Sequence, residues 1–138
     1  MLTDDIYRDT IYLRMIYRQS TYIHYRRMNM SRKNEPLTES YFYILLCLYH
    51  TSMHGYGIMQ KTAELSQGNV KIGSGTMYGA TENMMKKGWI RETFSDNPED
   101  KRKRLYELTD SGRDILEQEI RRLKHLVEIS EKVIKEGK

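Results

Sequence analysis

The sequence is poor in residues that would hold a fold together covalently or around a metal. It contains one cysteine, Cys47, in 138 residues, so no disulfide can form within the chain and no zinc site can be built from cysteines. It has no run of about 18 apolar residues that could cross a membrane. Asp4, Asp5 and Asp9 stand where a signal peptide would have its apolar segment. We expect a cytoplasmic protein that does not associate with a membrane.

Sequence motifs of catalysis and cofactor binding are also missing. The chain has no phosphate-binding glycine loop, no Gly-x-Ser-x-Gly motif and no His-Glu-x-x-His motif. Cys47, His50 and His54 have helical spacing, but Cys47 lies in an apolar run and the helix is expected to end near His50. The sequence therefore predicts no enzyme, no cofactor and no metal site.

What the sequence does contain is sufficient for one folded domain. Hydrophobic residues make up 38% of the chain and charged residues 30%, which is typical of a soluble domain with a real core. The net charge of +4 and the pI of about 9.1 make it mildly basic. Because no segment is a polycation, binding to nucleic acid would need a local arrangement of basic residues.

Residues 1–35 differ in composition from the rest of the chain. They are rich in tyrosine and arginine, and their Ile-Tyr pairs recur every five residues, a spacing that forms no continuous apolar face on a helix or a strand. We interpret residues 1–29 as an atypical extension, followed by a polar linker, with Met28 or Met30 as the true start. The alternative is a basic, aromatic arm that lies on DNA or on a partner subunit.

Residues 36–108 predict three helices followed by a β-hairpin. Thr38 is a typical N-cap for the first helix, and Ser74 for the third. A turn at residues 51–54 separates the first two helices. The helices are expected to end near residues 50, 65 and 87, with Gly88 as the C-cap glycine of the third. The strands are expected to cover residues 89–94 and 103–108.

Apolar spacing predicts which helix faces are buried. Tyr56, Met59 and Ala63 are expected to face the core from the second helix, with Ile58 and Leu65 beside them. Met77, Thr81 and Met84 are expected to face it from the third. The order of elements is typical of a winged helix-turn-helix, in which the third helix enters the major groove and the hairpin is the wing.

Residues 109–138 predict one long helix with an apolar seam. The segment 109–112 is a helix start, and seam residues then follow in steps of three and four, with Ser130 as the polar member. The apolar members are Leu116, Ile120, Leu123, Val127 and Ile134. A helix of about 27 residues spans ~40 Å, more than a small domain needs, so we expect the seam to hold a homodimer. The predicted fold is mainly α with a small β-hairpin: a winged helix-turn-helix with a C-terminal dimerisation helix.

Two clusters are candidate DNA contacts. The first lies on the third helix, where backbone amides can meet a phosphate and Asn83 can meet an adenine edge; it comprises Ser74, Gly75, Thr76, Tyr78, Gly79 and Asn83. The second is the basic run of the wing, a source of phosphate contacts; it comprises Lys101, Arg102, Lys103 and Arg104, with Lys61 and Lys71 as further contacts. The alternatives are ordinary helix capping beside a packed tyrosine and a solvated hairpin.

Aromatic residues of the first helix suggest a ligand site. Tyr41, Phe42 and Tyr43, together with Trp89, could line a pocket against the seam, and the alternative is plain core packing. The last helix contains no aromatic residue, so a ligand held between tryptophans of that helix is excluded.

Five short segments, in order and with compatible spacing, resemble the PadR-like transcriptional regulators. They are Leu-Thr-Glu-Ser-Tyr-Phe-Tyr-Ile-Leu-Leu at residues 37–46, His-Gly-Tyr-Gly-Ile at 54–58, Gly-Thr-Met-Tyr-Gly-Ala at 75–80, Lys-Gly-Trp-Ile at 87–90 and Tyr-Glu-Leu-Thr-Asp-Ser-Gly at 106–112. The resemblance covers over half of the chain. It implies a dimeric winged-helix repressor, often controlled by a small aromatic or drug-like effector, of the smaller subgroup with one C-terminal helix.

The sequence departs from this family at two positions of the third helix. Gly79 stands where the family very often has proline, and Thr81 where it usually has leucine. The first 29 residues have no counterpart in the resemblance. We predict a sequence-specific regulator of double-stranded DNA, a ligand-responsive repressor that acts as a homodimer on a palindromic operator. The alternatives are a winged-helix module for protein interaction and a small-molecule sensor without strong DNA binding.

Overall fold

A threonine cap marks the start of the first helix. The computed structural model describes residues 35–100 and 104–137, and helix α1 covers Glu39–Cys47. The hydroxyl of Thr38 accepts a hydrogen bond from the Tyr41 amide at 3.2 Å, which satisfies one of the free N–H groups of the first turn. The predicted cap is confirmed.

The remaining elements follow in the predicted order, with one addition. They are β1 (Met53–His54), α2 (Gly55–Leu65), α3 (Ser74–Lys86), β2 (Ile90–Phe94), a short 3-10 turn (Pro98–Asp100), β3 (Arg104–Leu108) and α4 (Asp110–Glu136). All of them belong to the unit Pro36–Lys138. The mainly helical fold with a small hairpin and one long final helix is confirmed. No helix in the described parts of the chain is long and apolar enough to cross a membrane.

The segment at residues 51–54, predicted as a turn, contains strand β1. Met53 pairs with Tyr106 and His54 with Leu105, both antiparallel, so the sheet has three strands in the order β1-β3-β2. A two-residue strand is too short to show an alternating pattern in the sequence. Its existence depends on the edge that β3 offers, far along the chain.

The buried face of α2 also differs from the predicted one. Tyr56 and Leu65 are exposed, whereas Ile58 and Thr62 are fully buried. The Thr62 hydroxyl lies 3.7 Å from the Cys47 sulfur of α1. A polar residue therefore occupies the centre of this helix contact, and apolar spacing could not reveal it.

The predicted buried stripe of α3 is confirmed, but its predicted cap is wrong. Met77, Thr81 and Met84 are buried, and the Thr81 hydroxyl lies 3.0 Å from the Met77 carbonyl oxygen within its own helix. The N-cap is Gly73, and Ser74 is the first helical residue. Glycine is tolerated at this position almost as well as serine.

The end of α3 is closed by a glycine in the left-handed conformation. Gly88 has φ 75°. The Trp89 amide donates to the Met84 carbonyl at 2.9 Å and the Gly88 amide to the Met85 carbonyl at 3.0 Å. This pair of bonds is the Schellman motif, so the predicted role of Gly88 is confirmed.

The start of α4 packs directly against this turn. The N-cap Thr109 has its hydroxyl 2.9 Å from the Trp89 carbonyl oxygen, and the same hydroxyl accepts a hydrogen bond from the Gly112 amide at 3.1 Å. A Cβ atom at Gly112 would lie 2.0 Å from that carbonyl oxygen. Only glycine fits at this position without a shift of the backbone.

Two buried carboxylates of α4 hold both ends of α1. Glu119 accepts a hydrogen bond from the Leu37 amide at 2.6 Å, just before α1. Glu117 accepts one from the Tyr49 hydroxyl at 2.9 Å, just after it. Arg122 donates to Glu119 at 3.1 Å, and this bond together with that of the Leu37 amide holds the pKa of the Glu119 carboxyl below its ordinary value in spite of burial.

Two glycine variants test this packing. A Cβ atom at Gly79 would meet no atom of the described residues within 4 Å. Gly79→Ala should therefore raise the free energy of unfolding by about 0.5–1 kcal/mol, because alanine loses less conformational entropy in a helix. Gly112→Ala should lower it by about 1–3 kcal/mol or more, because the new atom overlaps the Trp89 carbonyl. Urea denaturation measures both. A Gly112→Ala protein as stable as the wild type would contradict the close approach of α4.

The contact made by Glu119 should be sensitive to acid. Its lowered pKa means that it stabilises the fold above the ordinary value of 4.5 and that this stabilisation is lost as the pH falls through the lower folded value. Glu119→Gln should therefore destabilise the protein at about pH 7 and much less at about pH 3. The control Glu131→Gln, on the exposed part of α4, should stay within about 0.5 kcal/mol of the wild type. An equal loss for Glu119→Gln at both pH values would be evidence against the charged contact.

Candidate nucleic-acid interface

The N-terminal half of α3 presents an exposed surface on the side opposite its core contacts. With Met77, Ala80 and Met84 buried, the 100° step of a helix turns Gly75 and Gly79 outward. Five of the six residues predicted on this helix are exposed: Ser74, Gly75, Thr76, Tyr78 and Gly79. We call these five residues the α3 surface.

The α3 surface leaves its backbone open to an approaching molecule. A Cβ atom at Gly75 or Gly79 would meet nothing within 4 Å, so packing within the described chain does not require either glycine. The N-cap Gly73 has no side chain with which to cap the first turn. Backbone N–H groups at such a helix end attract anions. Tyr78, 65% exposed, adds an aromatic ring beside them.

A second exposed tyrosine lies close to the α3 surface. Tyr56, in the first turn of α2, is 64% exposed. Its neighbour Gly55 is near α3, since a Cβ atom there would lie 3.7 Å from Cγ of Met77. The sequence pattern placed Tyr56 in the core and missed it as a functional candidate. The feature of the sequence that could have indicated an exposed Tyr56 is the pair of glycines on either side of it, Gly55 and Gly57.

The base of the wing is built from oppositely charged pairs. Arg91 forms an ion pair with Glu107 directly across the two strands. An Arg104 guanidinium nitrogen lies 3.4 Å from a Glu92 carboxylate oxygen. Of the predicted basic run, Arg104 alone lies within the described residues; Lys101, Arg102 and Lys103 lie outside them.

Phe94 is a further residue that the sequence pattern missed. It pairs with Arg104 at the last described rung of the hairpin and is 68% exposed. A large apolar side chain in this position is available to contact another molecule. The feature of the sequence that could have indicated Phe94 is its position at the end of a strand, immediately before the polar loop.

The two predicted outlying lysines differ in placement. Lys71 is exposed in the segment between α2 and α3, and Lys61 is half-buried on α2. Burial raises the pKa of the Cys47 thiol, and the Thr62 hydroxyl and the positive charge of Lys61 oppose that rise. Lys61 therefore lies close to the end of α1, and Lys71 is the more accessible of the two.

Asn83 is placed differently from the α3 surface. Its side-chain amide donates a hydrogen bond to the Tyr41 hydroxyl of α1 at 2.8 Å, and both residues are half-buried. A bidentate contact with an adenine edge would use the second N–H and the carbonyl oxygen of an amide that is already held against α1.

The sequence model of the Transcriptional regulator PadR-like family matches residues 44–118, just over half of the chain. The protein belongs to this family. The match runs from α1 to the first turns of α4 and includes the α3 surface and the wing. No curated protein matches the sequence significantly.

Solved structures of PadR-like regulators share the fold. A PadR family transcription regulator from Clostridium difficile is 23% identical with a TM-score of 0.59, and the match covers 70% of this chain and 99% of that one. A PadR-like transcriptional regulator from Bacillus cereus is 19% identical with a TM-score of 0.58, covering 68% and 89%. Bacillus subtilis PadR in complex with operator DNA is 23% identical with a TM-score of 0.53, covering 61% and 47%. These similarities confirm the predicted winged-helix fold.

Membership of the PadR-like family defines the class of protein. Proteins of this family are transcriptional regulators and not enzymes, so the prediction of a non-catalytic protein is confirmed. Among residues 35–100 and 104–137, no three His, Cys, Asp or Glu side chains come together as metal ligands.

The four aromatic residues predicted to line a ligand pocket make separate contacts in this PadR-like chain. Tyr41 binds Asn83, and the Phe42 and Tyr43 rings pack edge to face with centroids 6.0 Å apart. The Lys87 ammonium lies over the Trp89 ring, with its Nζ 4.7 Å from the ring centroid. A shared effector pocket of these residues stays a prediction.

Proposed function

We propose that this PadR-like protein is a repressor that binds a palindromic DNA operator as a homodimer. The α3 surface carries the proposal, because its two outward glycines and uncapped helix end serve no packing purpose within the described chain. The operator-bound structure of Bacillus subtilis PadR supports DNA as the ligand. By covering the operator, such a dimer would keep the transcription machinery from the promoter.

On DNA, α3 would enter the major groove with its N-terminal turns. The amides after Gly73 would receive a phosphate, and Thr76 and Tyr78 would fix the position of the helix on the backbone. The missing side chains at Gly75 and Gly79 would allow the helix backbone to approach the groove closely. Tyr56, on the adjoining helix end, would add a further contact to the DNA backbone.

The wing would supply contacts that carry charge and no sequence information. The basic run at residues 101–104 would neutralise phosphates and release counterions, with Lys71 as an additional contact. Arg104 would exchange its Glu92 partner for a phosphate oxygen. Since that ion pair is largely exposed, it holds Arg104 only weakly.

The second half of α4 would hold the dimer. Two residues of the predicted seam pack inside the protein instead: Leu116 is fully buried and Ile120 is half-buried against the core. The apolar residues from Leu123 onward are exposed. We call this set the α4 stripe: Leu123, Leu126, Val127, Ile129, Val133 and Ile134. A second copy packed on it would bury these side chains around a twofold axis. The two α3 helices could then read half-sites about one DNA turn, ~34 Å, apart.

The resemblance also implies control by a small aromatic or drug-like effector. Such a ligand between α1 and α4 would act through the α1 aromatics, Tyr41, Phe42 and Tyr43, and through Trp89. Release of DNA would follow if the bound form of the protein had a lower affinity for the operator.

One observation favours a second candidate function, that of a winged-helix module for protein interaction. The described wing carries its charges in neutral pairs, Arg91 with Glu107 and Arg104 with Glu92, and it exposes Phe94. A protein partner would suit such a surface. Its binding would show little of the steep salt dependence that phosphate contacts produce.

Removing two wing cations tests the phosphate contacts. Lys103→Ala with Arg104→Ala should weaken binding to operator and to random duplex DNA alike. The slope of log affinity against log salt should fall by ~0.9 per lost contact, up to ~4 per dimer. Fluorescence anisotropy across a salt series measures this slope.

The matched control removes the same charge elsewhere. Lys132→Ala with Lys135→Ala, at the end of α4, should leave the salt slope unchanged. If the wing variant keeps the wild-type slope, the basic run does not contact phosphates and the protein-interaction function gains support.

Two aspartates in the α4 stripe test the dimer. Val127 and Ile134 are 55% and 69% exposed, so Val127→Asp with Ile134→Asp should give monomers with an intact winged-helix domain. Ile120 is half-buried against the core and is therefore unsuitable. Analytical ultracentrifugation measures the mass, and circular dichroism measures the fold.

Aspartates on the opposite side of the same helix provide the control. Lys132→Asp with Lys135→Asp should leave the dimer intact, because the helical step turns these positions away from the stripe. A dimer that persists in the Val127→Asp, Ile134→Asp protein would show that α4 is not the interface.

A further inference from the structure

We infer that Asn83 and Tyr41 form a positioning pair, through which Asn83 controls the orientation of α3 and does not read a base. This inference rests on the proposed DNA-binding function. It starts from the hydrogen bond of 2.8 Å between the Asn83 amide and the Tyr41 hydroxyl. A tyrosine hydroxyl can donate as well as accept, so the bond survives either orientation of the amide.

The place of Asn83 on α3 supports this role. Asn83 follows Thr76 by two helical turns, about 10 Å along the axis. It is half-buried, whereas the five residues of the α3 surface are exposed. A bidentate contact with adenine uses one N–H and the carbonyl oxygen of the amide, so Asn83 would have to make it from a side chain that the bond to Tyr41 holds half-buried against α1. Its side chain is suited to fix the helix and not to recognise a base.

Helix α1, which carries Tyr41, is itself tied to α4 at both ends. Before α1 the Leu37 amide donates to Glu119 at 2.6 Å, and after it the Tyr49 hydroxyl donates to Glu117 at 2.9 Å. The Asn83–Tyr41 bond therefore connects α3, through α1, to the helix proposed to hold the dimer. This bond is a second link between α3 and α4, besides the backbone junction at Trp89.

A directed side-chain bond adds to packing that is otherwise mostly apolar along α3, because the backbone bonds at Trp89 fix only its C-terminal end. Met77, Ala80 and Met84 are apolar, and the buried Thr81 hydroxyl bonds its own helix. Apolar packing tolerates small rotations better than a hydrogen bond does. A palindromic operator requires both α3 helices of the dimer to fit at once. A rotation of α3 would therefore weaken the contacts in both half-sites. Loss of the Asn83–Tyr41 bond should weaken binding to the operator and leave binding to random-sequence DNA unchanged.

A double-mutant cycle tests the pair. The variants are Asn83→Ala, Tyr41→Phe and their combination, and the probes are a duplex selected by the wild-type protein from a randomised library and a random-sequence duplex. Each single variant should lower affinity for the selected duplex by about tenfold per dimer, as expected for a lost bond in each subunit. The combination should lose no more than either single variant, and affinity for the random duplex should stay within about twofold.

Controls separate positioning from general damage. Tyr41→Phe removes one oxygen atom and preserves packing, so it keeps the test valid if Asn83→Ala folds poorly. Gln60→Ala, which truncates an exposed amide on α2, should bind both duplexes as the wild type does.

The possible failures are distinct. If Tyr41→Phe binds the selected duplex with wild-type affinity while Asn83→Ala does not, Asn83 reads DNA directly and the inference is overturned. Losses that multiply in the combined variant also overturn it, because they show that the residues act independently. If the wild-type protein selects no duplex at all, the proposed function fails and this inference fails with it.

Discussion

The carbonyl oxygen of Trp89 is the point on which the arrangement of this protein depends. The Schellman turn at the end of α3 presents it, the Thr109 hydroxyl lies 2.9 Å from it, and Gly112 approaches it more closely than any residue with a Cβ atom could. The end of α3, the start of β2 and the start of α4 meet there. The proposed DNA-reading helix and the proposed dimer helix are therefore held at one junction of backbone atoms, which has no side-chain freedom to absorb a shift.

A second constraint is polar and runs through α1. Glu117 and Glu119 are buried on α4 and accept hydrogen bonds at opposite ends of α1. Buried carboxylates are costly to desolvate, and satisfied hydrogen bonds offset this cost only when the geometry is good. Such contacts add little stability over apolar packing, but they define one orientation. The same argument applies to Asn83 and Tyr41, whose bond links α1 to α3.

The proposed DNA surface combines an open backbone with few charges. Gly79 weakens α3 by about 0.5–1 kcal/mol relative to alanine, and none of the residues that the structure describes packs on it to compensate for that loss. The described wing pairs its arginines with Glu92 and Glu107. Affinity for DNA would then depend on the fit of α3 in the groove and on the predicted contacts of the basic run at residues 101–104, and less on a general positive field.

Short stretches of sequence were sufficient to predict the features that depend on neighbouring residues: the cap at Thr38, the helix start at 109–112, the C-cap at Gly88, the buried stripe of α3 and the length of α4. Capping bonds and helical periodicity are local, so short stretches of sequence are sufficient to predict them. The folded chain was needed to reveal strand β1, the exposure of Tyr56, the close approach at Gly112, the pairing of Arg104 with Glu92 and the bond from Asn83 to Tyr41. Each of these depends on residues distant in the chain or on how the helices lie against one another. Spacing along the sequence shows which residues share a helix face, but the direction of a polar side chain is decided by the partner that the fold brings within hydrogen-bond distance.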